Sequence, residues 1–229
     1  MFREKQLVLD ELDRRYRITE HFLGDPSLGF STGLLNVISG TGASVVRLAP
    51  ILSIPGIARI TCGTTSTGYA SVHSPSNLLI GANNSANFNW LLRFKFRIPT
   101  IGDNTQTTQW ILGFGNSIIA AIPTNGIYLS LNNSDNILYG VCSNNGANTS
   151  LAIGTLTANT WVKAYIQALN TGVVRIGCQL TSNGNFVEVL PASNIPSSNP
   201  IGQQYSVAKS LGTSNRAIEL DYTDLFGFI

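Results

Sequence analysis

Glu219, Asp221 and Asp224 crowd into one short stretch, Glu219-Leu-Asp221-Tyr-Thr-Asp224. Paired carboxyls are the machinery of glycosidic-bond hydrolysis. One acts as nucleophile and the other as acid/base when they stand about 5 Å apart. In a strand, side chains two positions apart share a face at about 7 Å. Glu219 and Asp221 therefore lie together, while Asp224 falls on the opposite face unless a bulge intervenes. Ile218, Leu220 and Tyr222 form that opposite face and read as core. Other chemistry is thinly represented. His21 and His73 have no ligand partners at metal spacing, and His73, ahead of Ser74-Pro75, reads as a loop residue. There is no G-x-S-x-G and no phosphate-binding glycine loop. Asp103-Asn104 and Asp135-Asn136 could supply oxygens to Ca²⁺, but read first as Asx-turn residues. Cys62, Cys142 and Cys178 are odd in number, far apart and without C-x-x-C spacing, so they read as buried free thiols.

The elements that must carry these residues change character along the chain. Charged residues crowd the first 25 positions, where Leu9, Leu12 and Tyr16 keep helical spacing and Leu23 extends the line. The spacing predicts an amphipathic helix from about Glu4 to Phe22, capped at Gly24. Residues 26–60 read as short extended pieces broken by Pro50 and Pro55, a linking arm. From residue 61 to 229 the texture is that of short strands. In "FNWLLRFKFRIP", Trp90, Leu92, Phe94 and Phe96 alternate with Leu91, Arg93, Lys95 and Arg97. "GIYLSLNN", "NILYGVCSNN", "WVKAYIQALN" and "GVVRIGCQLT" continue the pattern, and Asn170-Thr-Gly172 and Ser182-Asn-Gly184 read as tight hairpins. Two antiparallel sheets packed face to face are the economical solution.

The order of these pieces resembles a concanavalin-A-like jelly roll of the lectin/glucanase superfamily, in the version found in tailed-bacteriophage virion proteins. The residues that carry it are "TSTGYASVHS", "FKFRIPT", "TNGIYLSLNNSDNILYGVCSNNG", "LTANTWVKAYIQALNTGVVRIGCQLTSNG" and "SLGTSNRAIELDYTDLFGFI". The acid stretch is similar to the E-x-D-x-x-E signature of laminarinase-type glucanases, with three departures. Its third acid is Asp rather than Glu, it sits on the last strand rather than mid-chain, and the aromatics alternate with polar residues as core aromatics do. The expectation is therefore a non-enzyme, with no catalytic residue, cofactor or resident metal.

Composition narrows the function classes. A net charge of +2 without a basic stripe argues against nucleic acid. No apolar run reaches the ~20 residues of a membrane span, and the charged start is unlike a Sec signal. The resemblance implies a structural virion protein, a capsid-decorating cement or head-spike protein that assembles as a homotrimer. Its expected partner is the major capsid protein or another virion component. Phe2, Leu9, Leu12, Tyr16 and Phe22 would form the anchor or oligomer interface. The alternative is a receptor-binding tail-fibre or adhesin domain that binds host-surface carbohydrate through loops around Asn83, Asn104 and Asn145.

Overall fold

The computed structural model describes residues 16–26, 30, 35–49, 54–75, 89–102, 107–117, 122–132, 136–197 and 199–228. Alternation of apolar and polar residues, punctuated by Asn and Gly turns, yields strands throughout. In chain order these are β1 (Tyr16–Glu20), β2 (Asn36–Ser39), β3 (Ser44–Leu48), β4 (Ile57–Thr61), β5 (Tyr69–His73), β6 (Asn89–Arg97) and β7 (Thr107–Gly115). Then follow β8 (Gly126–Asn132), β9 (Ile137–Asn144), β10 (Ala147–Thr155), β11 (Val162–Ala168), β12 (Val174–Gln179), β13 (Val187–Val189), β14 (Gly202–Leu211) and β15 (Ala217–Phe228).

The strands form two antiparallel sheets. The larger, of eight strands, runs β13-β12-β11-β6-β15-β4-β3, with β1 also on β15; the smaller, of seven, runs β10-β9-β8-β7-β14-β5-β2. Their inner faces interdigitate as in other sandwiches. Leu92, Phe94 and Phe96 of β6 and Ile166 of β11 meet Trp110, Leu112 and Phe114 of β7 and Tyr205 of β14, all fully buried. The Phe94 and Tyr205 rings cross the interface edge to face, 5.5 Å apart. The alternation read from "NWLLRFKFR" is reproduced residue by residue. The hairpin at Gly172 is present, with Leu169 N–H donating to Val173 O at 2.9 Å. Cys62, Cys142 and Cys178 are free and buried, and burial pushes the Cys142 thiol up to about 12.

The beginning of the chain differs from its sequence reading. Tyr16–Glu20 is strand, not the end of a helix, and it pairs with β15 from Thr223 to Gly227. Helical spacing and a short strand are hard to tell apart over one or two turns, and here an open length of β15 decides. The remainder of the expected helix lies outside the described residues. Phe22 turns the chain inward with a φ of 53°, its N–H donating to Glu20 Oε1 at 2.6 Å. Its ring is fully buried against Phe30, at 4.9 Å, in the chain's own core. A Cβ on Gly56 would stand 2.5 Å from His21 O, so only glycine lets this turn lie flat on the chain. The arm read over 26–60 likewise supplies β2 to the smaller sheet and β3 and β4 to the larger.

Candidate functional site

The three acids stand on β15, whose register against β6 shifts between Leu220 and Tyr222. That bulge rotates the strand and puts Asp224 on the outer side of the larger sheet with Glu219. It also turns Tyr222 away from the core, so of the three residues expected inside, only Ile218 and Leu220 are fully buried. Glu219, fully buried, accepts from Arg59 Nε at 2.8 Å and Arg97 Nε at 2.7 Å. Asp221 accepts from Lys95 at 2.7 Å. Asp224 takes Arg17 bidentately at 3.0 and 3.1 Å, together with the Thr19 hydroxyl at 2.6 Å. Each carboxylate is thus committed to a cation on a neighbouring strand. This arrangement ties β1, β4 and β6 to β15 and leaves none of the three poised over a cleft.

The smaller sheet's side away from the core is different, and much of it is itself buried: Ser71, Gln204, Ser206, Ile111, Tyr128 and Val141 are 5% exposed or less, while Gln109, Ser130, Tyr139 and Ser150 keep exposure. Its strands carry one formal charge, Lys209, which is buried and donates to the Gly63 and Ser214 carbonyls. Registered neighbours lay out one row as His73, Gln204, Gly113, Tyr128 and Val141. The next row is Ser71, Ser206, Ile111, Ser130 and Tyr139. Ile111, Tyr128 and Val141 form a small apolar cluster with Tyr139 packed against it. Beside it a groove of about 410 Å³ is lined by Gln109, Ser130, Tyr139, Val141 and Ser150, with Ile122 from the β7–β8 connection and Thr107 and Thr108 at one end.

Polar atoms go unmatched along the same sheet. Ser71 Oγ, His73 Nδ1, Gln204 Oε1 and Thr108 Oγ1 are buried without a hydrogen-bond partner. Such groups normally hold water or a ligand. Gln204 lies over Gly115, where a Cβ would meet Oε1 at 2.1 Å. His73, expected in a loop, is on β5 and 5% exposed, and burial lowers its imidazole below the ordinary value.

One end of this sheet is closed by an asparagine network. Asn145, in the β9–β10 turn with a φ of 51°, donates its N–H to Asn125 Oδ1 at 2.9 Å. Asn199 Nδ2 donates to both Asn125 Oδ1 and Asn145 Oδ1, at 3.1 and 3.2 Å. Asn145 therefore braces three loops. Asn83, Asn104, Asp103 and Asp135 lie outside the described residues, as do Phe2, Leu9 and Leu12; Tyr16 is on β1. Among the described residues no group of His, Cys, Asp or Glu is arranged to hold a metal. The groove residues Gln109, Ser130, Tyr139 and Ser150 escaped the sequence reading because each looks like an ordinary outward strand position. The signal was collective: β7 to β10 carry no ionic residue at all.

The model of the family "SO2946-like, C-terminal domain" matches residues 53–221. A protein of unknown function, SO2946 from Shewanella oneidensis MR-1, superposes with a TM-score of 0.70 at 13% identity, covering 94% of this chain and 87% of that one. Peanut lectin, solved with a nine-residue peptide, gives 0.63 at 11% identity, covering 93% and 97%. Winged bean acidic lectin, solved with methyl-α-D-galactose, gives 0.61 at 12% identity, covering 93% and 98%. At these identities the likeness establishes the lectin-like jelly-roll fold. No curated protein sequence matches the chain.

Proposed function

This chain belongs to the SO2946-like C-terminal domain family, and from that premise we propose that it is a non-catalytic carbohydrate-recognition module borne on a tailed-phage particle. The observation that carries this reading is the uncharged groove on the smaller sheet. An apolar cluster beside hydroxyl and amide groups suits a sugar ring, which has one apolar face and a rim of hydroxyls. Thr108, whose hydroxyl is unmatched, stands at one end of this groove and adds hydrogen-bonding capacity. The acids that could have served hydrolysis are spent on Arg59, Arg97, Lys95 and Arg17. A glycan array probed with the full chain tests the proposal. Binding to neutral glycans that is lost in Tyr139→Ala and Gln109→Ala, with unchanged melting temperature, is expected. A blank array at high protein concentration would overturn it.

The capsid-cement reading is favoured by a different observation. Phe186, Val187 and Leu190 are exposed around β13, the edge strand of the larger sheet, where another subunit would find apolar surface and unpaired backbone. In that role the protein is a homotrimer set against the major capsid protein. Native mass and the heat tolerance of particles lacking the protein test it: a monomer, or particles as robust as the parent, would remove it.

A further inference from the structure

The two outer faces divide the charge of the molecule between them. Among the described residues the smaller sheet's outer side carries no Asp, Glu, Lys or Arg, whereas the larger carries Arg17, Arg59, Arg93, Lys95, Arg97, Lys163 and Arg175 against Glu188, Glu219, Asp221 and Asp224. The chain as a whole is only +2, so this surplus is local rather than a by-product of a basic protein.

Two cations are left over in an instructive way. Arg93 is directly opposite Asp224 in register, yet Asp224 gives its oxygens to Arg17 and Thr19. The Arg93 guanidinium lies over the Phe226 ring instead, 5.1 Å from its centroid. Lys163 is exposed and directly opposite Lys95, which is taken by Asp221. Like charges facing each other across a ladder destabilise a sheet. Lys163 therefore costs stability and receives no compensating ion pair among the described residues. Since Arg93 faces Tyr165 on the same strand as Lys163, these two cations without an ion pair among the described residues are diagonal neighbours, with Gln167 nearby and Tyr165 donating its hydroxyl to Glu188.

We propose that this patch, centred on Arg93 and Lys163, is a second binding surface, for a polysaccharide bearing carboxylates. Arg93 offers a planar fork that matches a carboxylate. Gln167 offers an amide for hydroxyls, and the Trp161 and Phe226 rings support neighbouring cations. The free charge is sparse and stepped by strand spacing. That suits a polymer with charges separated by neutral hydroxyls better than a duplex carrying one phosphate per about 1.7 Å. The surface is separate from the uncharged groove, so the two sites fail or stand independently.

Affinity electrophoresis of the full chain through gels containing polygalacturonate, neutral galactan or duplex DNA tests the assignment. Polygalacturonate is expected to retard the protein at low salt and release it near physiological salt. The double variant Arg93→Gln/Lys163→Gln should bind about tenfold more weakly, from two exposed charges together. Lys163→Glu alone should weaken binding without lowering the melting temperature, and Tyr139→Ala should leave it unchanged. Absence of retardation at low salt, or equal retardation of wild type and both charge variants, would overturn the proposal. Equal retardation by DNA through the same two residues would overturn its assignment to a polysaccharide.

Discussion

Replacing Glu219 by Gln removes one charge from the centre of the larger sheet while keeping the side chain's shape. Glu219 has no exposed surface and is shared by Arg97, whose side chain is 18% exposed, and Arg59, at 40%. Breaking a fully buried pair by deleting one partner costs about 3–5 kcal/mol, chiefly because the other charge is stranded. Here the stranded cations have alternatives. Arg59 reaches water, and Arg97 keeps its position 4.8 Å from the Trp161 ring centroid. The amide also retains one acceptor. The cost is then about 2–3 kcal/mol, which for a domain of this size lowers the melting temperature by roughly 4–12 °C. Thermal unfolding followed by circular dichroism in physiological salt measures it. Glu188→Gln, which loosens the exposed pair at 3.7 Å from Arg175, serves as the comparison and should change stability by less than about 1 kcal/mol. Binding of neutral glycans should be unaltered in both variants, and neither they nor the parent should release reducing sugar. A melting temperature for Glu219→Gln within about 2 °C of the parent would refute the view that this carboxylate is a structural tie.

Phe22→Ala should cost about 3–5 kcal/mol without changing native mass, because the ring is buried in its own chain; a lost oligomer with an intact fold would restore it to an interface. Gly113, at a φ of 149°, has no room for a Cβ, which would stand 2.7 Å from the Ile127 carbonyl oxygen and 2.9 Å from Tyr128 Cα on the neighbouring strand's backbone. Gly113→Ala should therefore destabilise by about 1–3 kcal/mol in urea unfolding, and an unshifted midpoint would refute the crowding. Burial lowers the folded pKa of His73 below the ordinary 6.5. Below that pH the unfolded chain binds a proton that the folded one refuses, so this contribution is full above 6.5 and is lost as pH falls through the folded value. His73→Asn should flatten the loss of stability between neutral and mildly acid pH; an identical slope would show that His73 is not its source.

Strand alternation made most of the sandwich legible. "NWLLRFKFR" dictates its own buried face because period two admits one solution when one side must be apolar. The start of the chain was not legible in the same way. Leu9, Leu12 and Tyr16 satisfy a helical spacing, but Tyr16–Glu20 is claimed by an unpaired length of β15 about two hundred residues away (|i−j| is 207 for Arg17 and Asp224). Local propensity yields to a long-range partner it cannot register. The acids illustrate the same limit. Their identity and the need for a bulge were readable, but not the cations that neutralise them, since those sit on three other strands. Tyr222 was misplaced because the bulge reverses the parity of everything after it. The groove was hidden for another reason: Gln109, Ser130 and Ser150 gain meaning only when registered side by side.

The position of β15 governs how the protein can be made. Of these strands it is synthesised last, yet it sits inside the larger sheet, between β6 on one edge and both β4 and β1 on the other. Until it emerges, β4 and β6 lack their shared neighbour, and each waits with an open edge and with Arg59, Lys95 and Arg97 lacking their carboxylates. Closure across such sequence distances is slow. A nascent chain on the ribosome therefore exposes these strand edges until β15 has emerged. Premature termination before Ala217 would leave a fragment with an unfinished sheet, open to aggregation and to cellular proteolysis, rather than a smaller working domain.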